Sequence, residues 1–213
     1  MSDTSLNPPG FLAALDTETQ QEAEAELMAC CASRRWAAEM AARRPYHDLQ
    51  TLRRVSDAAL DALDWPDVLE ALAAHPRIGE RHGGAGTEGG EGDTSGAHPA
   101  RPGAGVPQGP GAGVPQGREA GWSRAEQAAA ATDDERTAAE LAAGNAEYER
   151  RFGHVFLICA TGRSADEVLA ALRKRLGNDE VTERRVVREE LRKIVDLRLA
   201  RLVGEAGGRV STA

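Results

Sequence analysis

A glycine- and proline-rich stretch at residues 83–120 constrains the fold of this 213-residue chain more than any other feature. Within it the heptapeptide GAGVPQG occurs twice, at 103–109 and 111–117. Such a segment buries too little apolar area to offset the conformational entropy lost on ordering. Neither flanking part looks complete enough to fold alone, and loop closure costs rise only logarithmically with length. We therefore predict one domain over residues 10–203, interrupted by a flexible insertion that is either a passive tether or a partner motif.

Outside this insertion the composition favours helices. Aromatic residues make up only 4% of the chain, so the core must be built mainly from Leu, Ala, Val and Ile. Segments rich in alanine and leucine and poor in β-branched residues have high helix propensity. We predict an all-α, single-domain bundle of seven to nine helices, with flexible termini at 1–9 and 204–213.

Local start and stop signals divide the bundle into helices. Ser56, Ser123 and Thr132 are candidate N-caps, and Ser164 with Glu167 forms a capping-box pattern. The residue before a proline is disfavoured in the α region, so one helix should end at His75-Pro76. The predicted helices span 18–32, 33–42, 57–63, 66–74, 123–131, 133–150, 164–176 and 179–203.

The apolar run from Val155 to Ala160 has strand-like residue types, but no second strand is predicted to pair with it. We expect either a helical turn or an extended buried connector. The run is also far too short to span a bilayer, so no membrane interaction is expected.

Charge and cysteine content exclude several function classes. A net charge of −8 argues against nonspecific nucleic-acid binding, which needs a basic surface. The three cysteines, of which Cys30 and Cys31 are adjacent, show no disulfide framework. With no secretory signal in the first twenty residues, a cytoplasmic location is expected. No histidine or thiol pair has metal-ligand spacing, and no glycine-rich phosphate loop follows a strand, so neither a metal nor a cofactor is predicted.

His75 stands at the predicted C-terminus of a helix, next to a proline that would restrict its backbone. In one interpretation its imidazole caps the last carbonyls of the helix. In the other it is a proton donor with a pKa near neutrality. The residues around it do not decide between these.

The sequence WSRAEQ allows two compatible interpretations. Ser123 and Glu126 fit a capping box at the start of a helix. The same helix end, with Gln127, offers N–H groups, a hydroxyl, a carboxylate and an amide to an anionic ligand.

The last helix carries an arginine on an apolar stripe. Val187, Leu191, Ile194 and Arg198 follow one another at helical spacing. Arg198 should therefore either extend to the surface along its aliphatic stem or meet a buried anion.

Together these motifs resemble a known family. The segments AAHPRIGE, WSRAEQ, LAAGNAEYERRFGHVFLICATGRSADEVLAALRKRLGND and EELRKIVDLRLARLV, in this order, are similar to the 2-oxo-4-hydroxy-4-carboxy-5-ureidoimidazoline (OHCU) decarboxylases. The resemblance implies an all-helical, usually dimeric protein without metal or organic cofactor. It also implies decarboxylation of OHCU to (S)-allantoin in urate degradation.

By motif position the resemblance assigns the site residues. His75 corresponds to the catalytic histidine, Glu126 to the catalytic glutamate and Arg198 to the site arginine. Substrate binding is implied for the positions that flank these residues: Pro76, Ser123, Gln127 and the main chain of Phe156, Leu157, Ile158, Cys159 and Ala160.

The chain also departs from the family pattern. Members often have Phe-Gly-Phe-Pro-Phe where this chain has Phe152-Gly-His154-Val155-Phe156, and they place the histidine and serine motifs closer together. Two alternatives therefore remain open. One is an enzyme that acts on a related ureido substrate, and the other is a helical interaction module without catalysis.

Overall fold

The computed structural model describes residues 10–79, 116–127 and 134–208. Within these ranges all regular secondary structure is helical, which confirms the predicted fold class. The nine helices are α1 Phe11–Thr17, α2 Gln20–Met28, α3 Arg34–Ala42, α4 Leu49–Asp61, α5 Trp65–Ala73, α6 Gln116–Gln127, α7 Glu135–Phe152, α8 Ala165–Arg175 and α9 Glu180–Gly208.

Several helix boundaries follow the sequence signals. Helix α5 begins after an Asp64 capping box with proline in its first turn, and it ends just before His75. Helix α8 begins after the predicted capping box, in which Ser164 accepts from the N–H of Glu167 and the Glu167 carboxylate accepts from Ser164. These ends were predictable because both partners lie within one turn.

Three predicted caps are wrong. Ser56 is buried inside α4, which is capped by Asp48 instead. Helix α7 is capped by Asp134 rather than by Thr132. Ser123 lies well inside α6 and not at its start. Each error has the same cause, because a serine or threonine near a plausible start carries no information about helix turns that precede it.

Two helix ends differ from the sequence-based prediction. Helix α6 begins at Gln116, so the last residues of the predicted 83–120 insertion are helical. Helix α9 continues to Gly208, beyond the predicted start of a flexible terminus at 204. The rest of the predicted insertion before Gln116, and both chain ends beyond 10–208, lie outside the described residues.

The apolar residues form two clusters. The larger joins α1 to α5 with Trp122 of α6 and one face of α9. The smaller joins Ile78 with α7 and α8. In the described ranges, no helix combines the length and the apolarity that crossing a bilayer requires.

Residues 155–160 run between the two clusters, with no helix or strand assigned. Phe156, Ile158 and Ala160 pack into the smaller cluster, whereas Leu157 and Cys159 pack with the larger one. This alternation with a period of two is typical of extended backbone. It confirms the extended buried connector among the two predicted alternatives.

Candidate active site

A small, partly open cavity lies where the two clusters meet. Its walls come from the end of α5, the C-terminal half of α6, the extended segment and α9. The lining residues are His75, Pro76, Ile78, Ser123, Glu126, Gln127, Phe156, Leu157, Ile158, Cys159, Ala160, Thr161 and Ile194.

The imidazole of His75 is held by the last turn of α5. The imidazole Nδ1 lies 2.9 Å from the carbonyl oxygen of Ala71, and the main-chain N–H of His75 donates to the carbonyl of Leu72 at 2.9 Å. The side chain is 9% exposed, and its Nε2 meets no hydrogen-bond partner within the described residues. The capping interpretation and a role in the cavity are therefore compatible, since each uses a different ring nitrogen.

The electrostatic environment keeps His75 neutral. Burial is the largest cause, the nearby charge of Arg198 is the second, and together they lower the pKa of His75 to about 4. The hydrogen bond to Ala71 opposes this only in part. The near-neutral pKa expected for His75 as a proton donor is therefore not found, because burial and Arg198 lower the pKa of the imidazole. At neutral pH, Nδ1 carries the proton that it donates to Ala71, and Nε2 presents a lone pair.

Glu126 and Arg198 form a buried ion pair beside the cavity. Arg198 Nη2 lies 2.9 Å from Glu126 Oε2, and its Nε lies 3.2 Å from Oε1. Arg198 is 0% exposed, so it meets a buried anion and does not extend to the surface. It stands behind Glu126, which itself lines the cavity.

Ser123 takes part in the same cluster from within helix α6. Its hydroxyl accepts a hydrogen bond from Arg198 Nη2 at 3.1 Å, so it is a tertiary contact and not a helix cap. Because α6 begins at Gln116, the expected anion site at a helix start near Ser123 does not exist.

Gln127 joins α6 to the loop that follows α5. Its Nε2 donates to the carbonyl of Pro76 at 3.3 Å. Both residues line the cavity, so the amide fixes the loop that carries His75.

The extended segment is held along one edge. The carbonyl of Leu157 accepts from Arg175 Nη1 at 2.6 Å, and the N–H of Cys159 donates to Glu190 at 2.8 Å. The carbonyl of Cys159 accepts from Arg163 Nε at 3.2 Å. In the part of the chain that the structure describes, no hydrogen bond engages the N–H and C=O of Ile158.

The histidine that departs from the family pattern at residues 152–156 has a structural explanation. The His154 ring packs edge-on against Trp65 and Tyr148, with centroids 5.4 Å and 5.5 Å away. It thus fills an aromatic position beside the site, and it is not one of the cavity-lining residues.

Some site residues were missed by sequence analysis. Ile78 and Thr161 line the cavity, and Arg201 contacts Glu126 Oε1 at 3.2 Å. Arg201 follows Arg198 by nearly one helical turn, which was the only available signal. Asn145 holds the histidine loop by donating to the carbonyl of Ile78 at 2.8 Å.

No cluster of three potential metal ligands occurs among residues 10–79, 116–127 and 134–208. His82 and His98 lie outside those ranges.

Comparisons with known proteins converge on one family. The sequence model of the OHCU decarboxylase family matches residues 16–103 and 110–200. The chain is 29% identical over 188 residues to the uric acid degradation bifunctional protein TTL of Arabidopsis thaliana, covering 88% of this chain and 49% of that protein. The chain thus spans about half the length of that relative.

Two further relatives match over most of their length. A 2-oxo-4-hydroxy-4-carboxy-5-ureidoimidazoline decarboxylase of Haloferax volcanii is 29% identical over 168 residues, which is 78% of this chain and 79% of that protein. A crystal structure of OHCU decarboxylase in the presence of (S)-allantoin superposes with a TM-score of 0.60 at 25% identity. The superposition covers 84% of this chain and 98% of that one.

Proposed function

The chain belongs to the OHCU decarboxylase family, and from this premise we propose that it converts OHCU to (S)-allantoin and CO₂ in urate degradation. One observation carries the proposal: His75 and Glu126 line one cavity, and Arg198 lies behind Glu126 and is paired with it. Titratable groups gathered at a cavity from distant parts of a chain are typical of functional sites.

Decarboxylation without a cofactor needs an electron acceptor within the substrate. The bond between the carboxylate and ring carbon 4 breaks, and its electron pair enters the conjugated ring, which takes a proton from water on nitrogen. The hydroxyl proton on carbon 4 then leaves, and a proton is added to carbon 5, which bears the ureido group. This converts the enol to the ring carbonyl of allantoin and sets its configuration.

His75 is suited to carry the second proton. Its Nε2, which has no hydrogen-bond partner among the described residues, can accept the hydroxyl proton, and the resulting imidazolium can deliver a proton to carbon 5. Because the protonated form is disfavoured in this environment, the proton is passed on readily. Delivery from one face of the ring yields one enantiomer.

The ion pair organises one part of the cavity wall. Glu126 is held by two guanidinium groups and points its carboxylate to the cavity wall, where it orients the substrate hydroxyl or His75. Arg198 lies behind this wall, so we assign it to holding Glu126 and to attracting the substrate carboxylate by its charge.

The ring and ureido groups present amide edges that match the extended segment. In extended backbone the N–H and C=O of one residue point to one edge, and those of the next residue to the other. The edge formed by Leu157 and Cys159 is already occupied by Arg175, Glu190 and Arg163. The N–H and C=O of Ile158, which no other described residue engages, are assigned to a cyclic amide of the substrate.

The function is tested by generating OHCU in situ from urate and following allantoin by circular dichroism, with and without the protein. We expect faster formation and an excess of the (S) enantiomer. An unchanged rate with racemic product would reject the proposal. If the protein accelerates the reaction of OHCU but not that of other ureido compounds, the alternative of an enzyme for a related ureido substrate is excluded.

A homodimer and a cytoplasmic location are further parts of this proposal, and light scattering tests the first. The interaction-module alternative requires an exposed apolar patch. Among the residues that the structure describes, Val181 is the one large hydrophobic side chain that is exposed, and a single valine does not make an apolar patch.

A further inference from the structure

A buried polar cluster lies behind the cavity wall and takes no part in the chemistry above. Its members are Tyr148 of α7, Arg175 at the end of α8, and Glu183 of α9. We propose that Arg175 is a positioning residue, which fixes the extended segment 156–160 for the reaction through the carbonyl of Leu157. The inference rests on the proposed function, because that segment is assigned there to the substrate.

The contacts of Arg175 fix its guanidinium from several sides. Nε and Nη2 lie 2.8 Å and 2.6 Å from Glu183 Oε1, and Nη1 donates to the Leu157 carbonyl at 2.6 Å. Its plane also covers the ring of Phe156, with 4.6 Å from the guanidinium carbon to the ring centroid. Two adjacent residues of the segment are therefore held by one rigid group.

The anion of this cluster is itself anchored. Glu183 is buried; its Oε1 accepts from the Tyr148 hydroxyl, and its Oε2 accepts from Asn178 Nδ2 at 2.7 Å. A buried ion pair contributes little net stability compared with apolar residues of similar volume, because desolvation offsets the attraction. Stability alone therefore does not explain the buried pair of Arg175 and Glu183, whereas a role in fixing the Leu157 carbonyl does.

A second anchor acts two residues further on. Glu190 accepts from the N–H of Cys159 and is paired with Lys193 at 2.6 Å. With Leu157 and Cys159 fixed on one edge, Ile158 is held facing the other. A displacement of about 1 Å at such a position can cost about 100-fold in rate.

Arg175→Lys tests this role. The lysine keeps a positive charge beside Glu183, but a single ammonium cannot reproduce the fork that also reaches Leu157. The control is Met40→Ala, which destabilises the core from α3, a helix that contributes no cavity residue. Both variants are assayed at a temperature at which they remain folded.

Three quantities are measured: kcat/KM for OHCU, the affinity ratio of (S)- to (R)-allantoin, and amide hydrogen exchange of a peptide covering 156–160. For Arg175→Lys we expect kcat/KM to fall about 10- to 100-fold, the enantiomer ratio to decrease, and exchange in the segment to accelerate. Met40→Ala should change neither kcat/KM nor the enantiomer ratio beyond about twofold, and it should raise exchange in 156–160 no more than in core peptides away from the cavity. Equal behaviour of the two variants would overturn the inference.

If Arg175→Lys does not fold, Tyr148→Phe tests the positioning role of Arg175. It removes only the hydroxyl that donates to Glu183, and we expect the same changes at smaller amplitude; wild-type values in all three measurements would overturn the inference. If the wild-type protein neither accelerates OHCU decay nor binds (S)-allantoin, the proposed function fails instead, and segment exchange in the variants still reports on the anchoring.

Discussion

The side chains of Arg198 and Glu126, 72 positions apart in the sequence, form a two-point ion pair in the protein interior. The pair joins α9 to α6 and holds Glu126 in the wall of the cavity. It also brings a positive charge close enough to His75 to help keep the imidazole neutral. One contact thus links the fold to the protonation state of the proposed catalytic base.

Removing the anion of this pair should be costly. Glu126→Gln removes the negative charge that lies 2.9 Å from the buried Arg198 guanidinium, and we expect a loss of about 3–5 kcal/mol in the free energy of unfolding. Glu39→Gln is the control, because Glu39 pairs with Arg43 on the exposed surface and should cost less than about 1 kcal/mol. Urea unfolding measures the free energy of unfolding of both variants. Equal losses would show that Glu126 does not offset the cost of burying the Arg198 charge.

His75 should make the stability of the protein pH-dependent. Its pKa is about 4 in the folded state and about 6.5 in the unfolded chain. Below pH 6.5 the unfolded chain binds the proton more readily, so stability falls as pH drops from about 6.5 to about 4. The contribution is about 3 kcal/mol at 1.36 kcal/mol per pKa unit.

The variant His75→Asn isolates this contribution. Unfolding free energies of wild type and variant are compared at pH 7 and pH 4. The wild type should lose about 3 kcal/mol more than the variant over this interval. Parallel pH profiles of the two proteins would contradict the assignment of a depressed pKa to His75.

The same ionisation should govern catalysis. If His75 must be neutral to accept a proton, kcat/KM should stay level through pH 6.5 and decline only towards a midpoint near pH 4. Initial rates with freshly generated OHCU, corrected for spontaneous decay at each pH, provide the profile. A midpoint near pH 6.5 would contradict this prediction, because it would show that burial does not lower the pKa of His75.

The packing of α7 on α8 depends on a glycine. A Cβ atom at Gly144 would approach Leu172 Cδ2 to 2.6 Å. Gly144→Ala should therefore destabilise the fold by about 1–3 kcal/mol through overpacking. Gly204→Ala in α9, where a Cβ meets nothing within 4 Å, should instead be neutral or stabilising by up to about 1 kcal/mol. Thermal unfolding of both variants checks the contrast.

The sequence allowed much of the fold to be predicted because its strongest signals are local. The Ser164–Glu167 capping box and the break at His75-Pro76 each depend on neighbours within one turn. Helix α6 was misplaced because its start lies in a low-complexity stretch, and only the tertiary contact of Ser123 with Arg198 shows how that serine is used.

The residues around the cavity were easier to predict than their electrostatics. Motif order predicted His75, Glu126 and Arg198 as site residues; in the structure His75 and Glu126 line the cavity, and Arg198 lies behind Glu126. The pKa of His75 was mispredicted because it depends on burial and on a guanidinium more than 100 positions away in the chain. The anchoring of Leu157 by Arg175 was likewise invisible, since nothing in the sequence ties a helix-end arginine to a distant carbonyl.

The most direct test of the account is the rate of (S)-allantoin formation by His75→Asn, with OHCU generated in situ. The exposed His47 provides the matched control, His47→Asn. We predict that His75→Asn loses about 10²- to 10⁴-fold in turnover with its circular dichroism spectrum intact, while His47→Asn matches the wild type. Wild-type rate and stereochemistry in His75→Asn would contradict the assignment of His75 as the proton carrier.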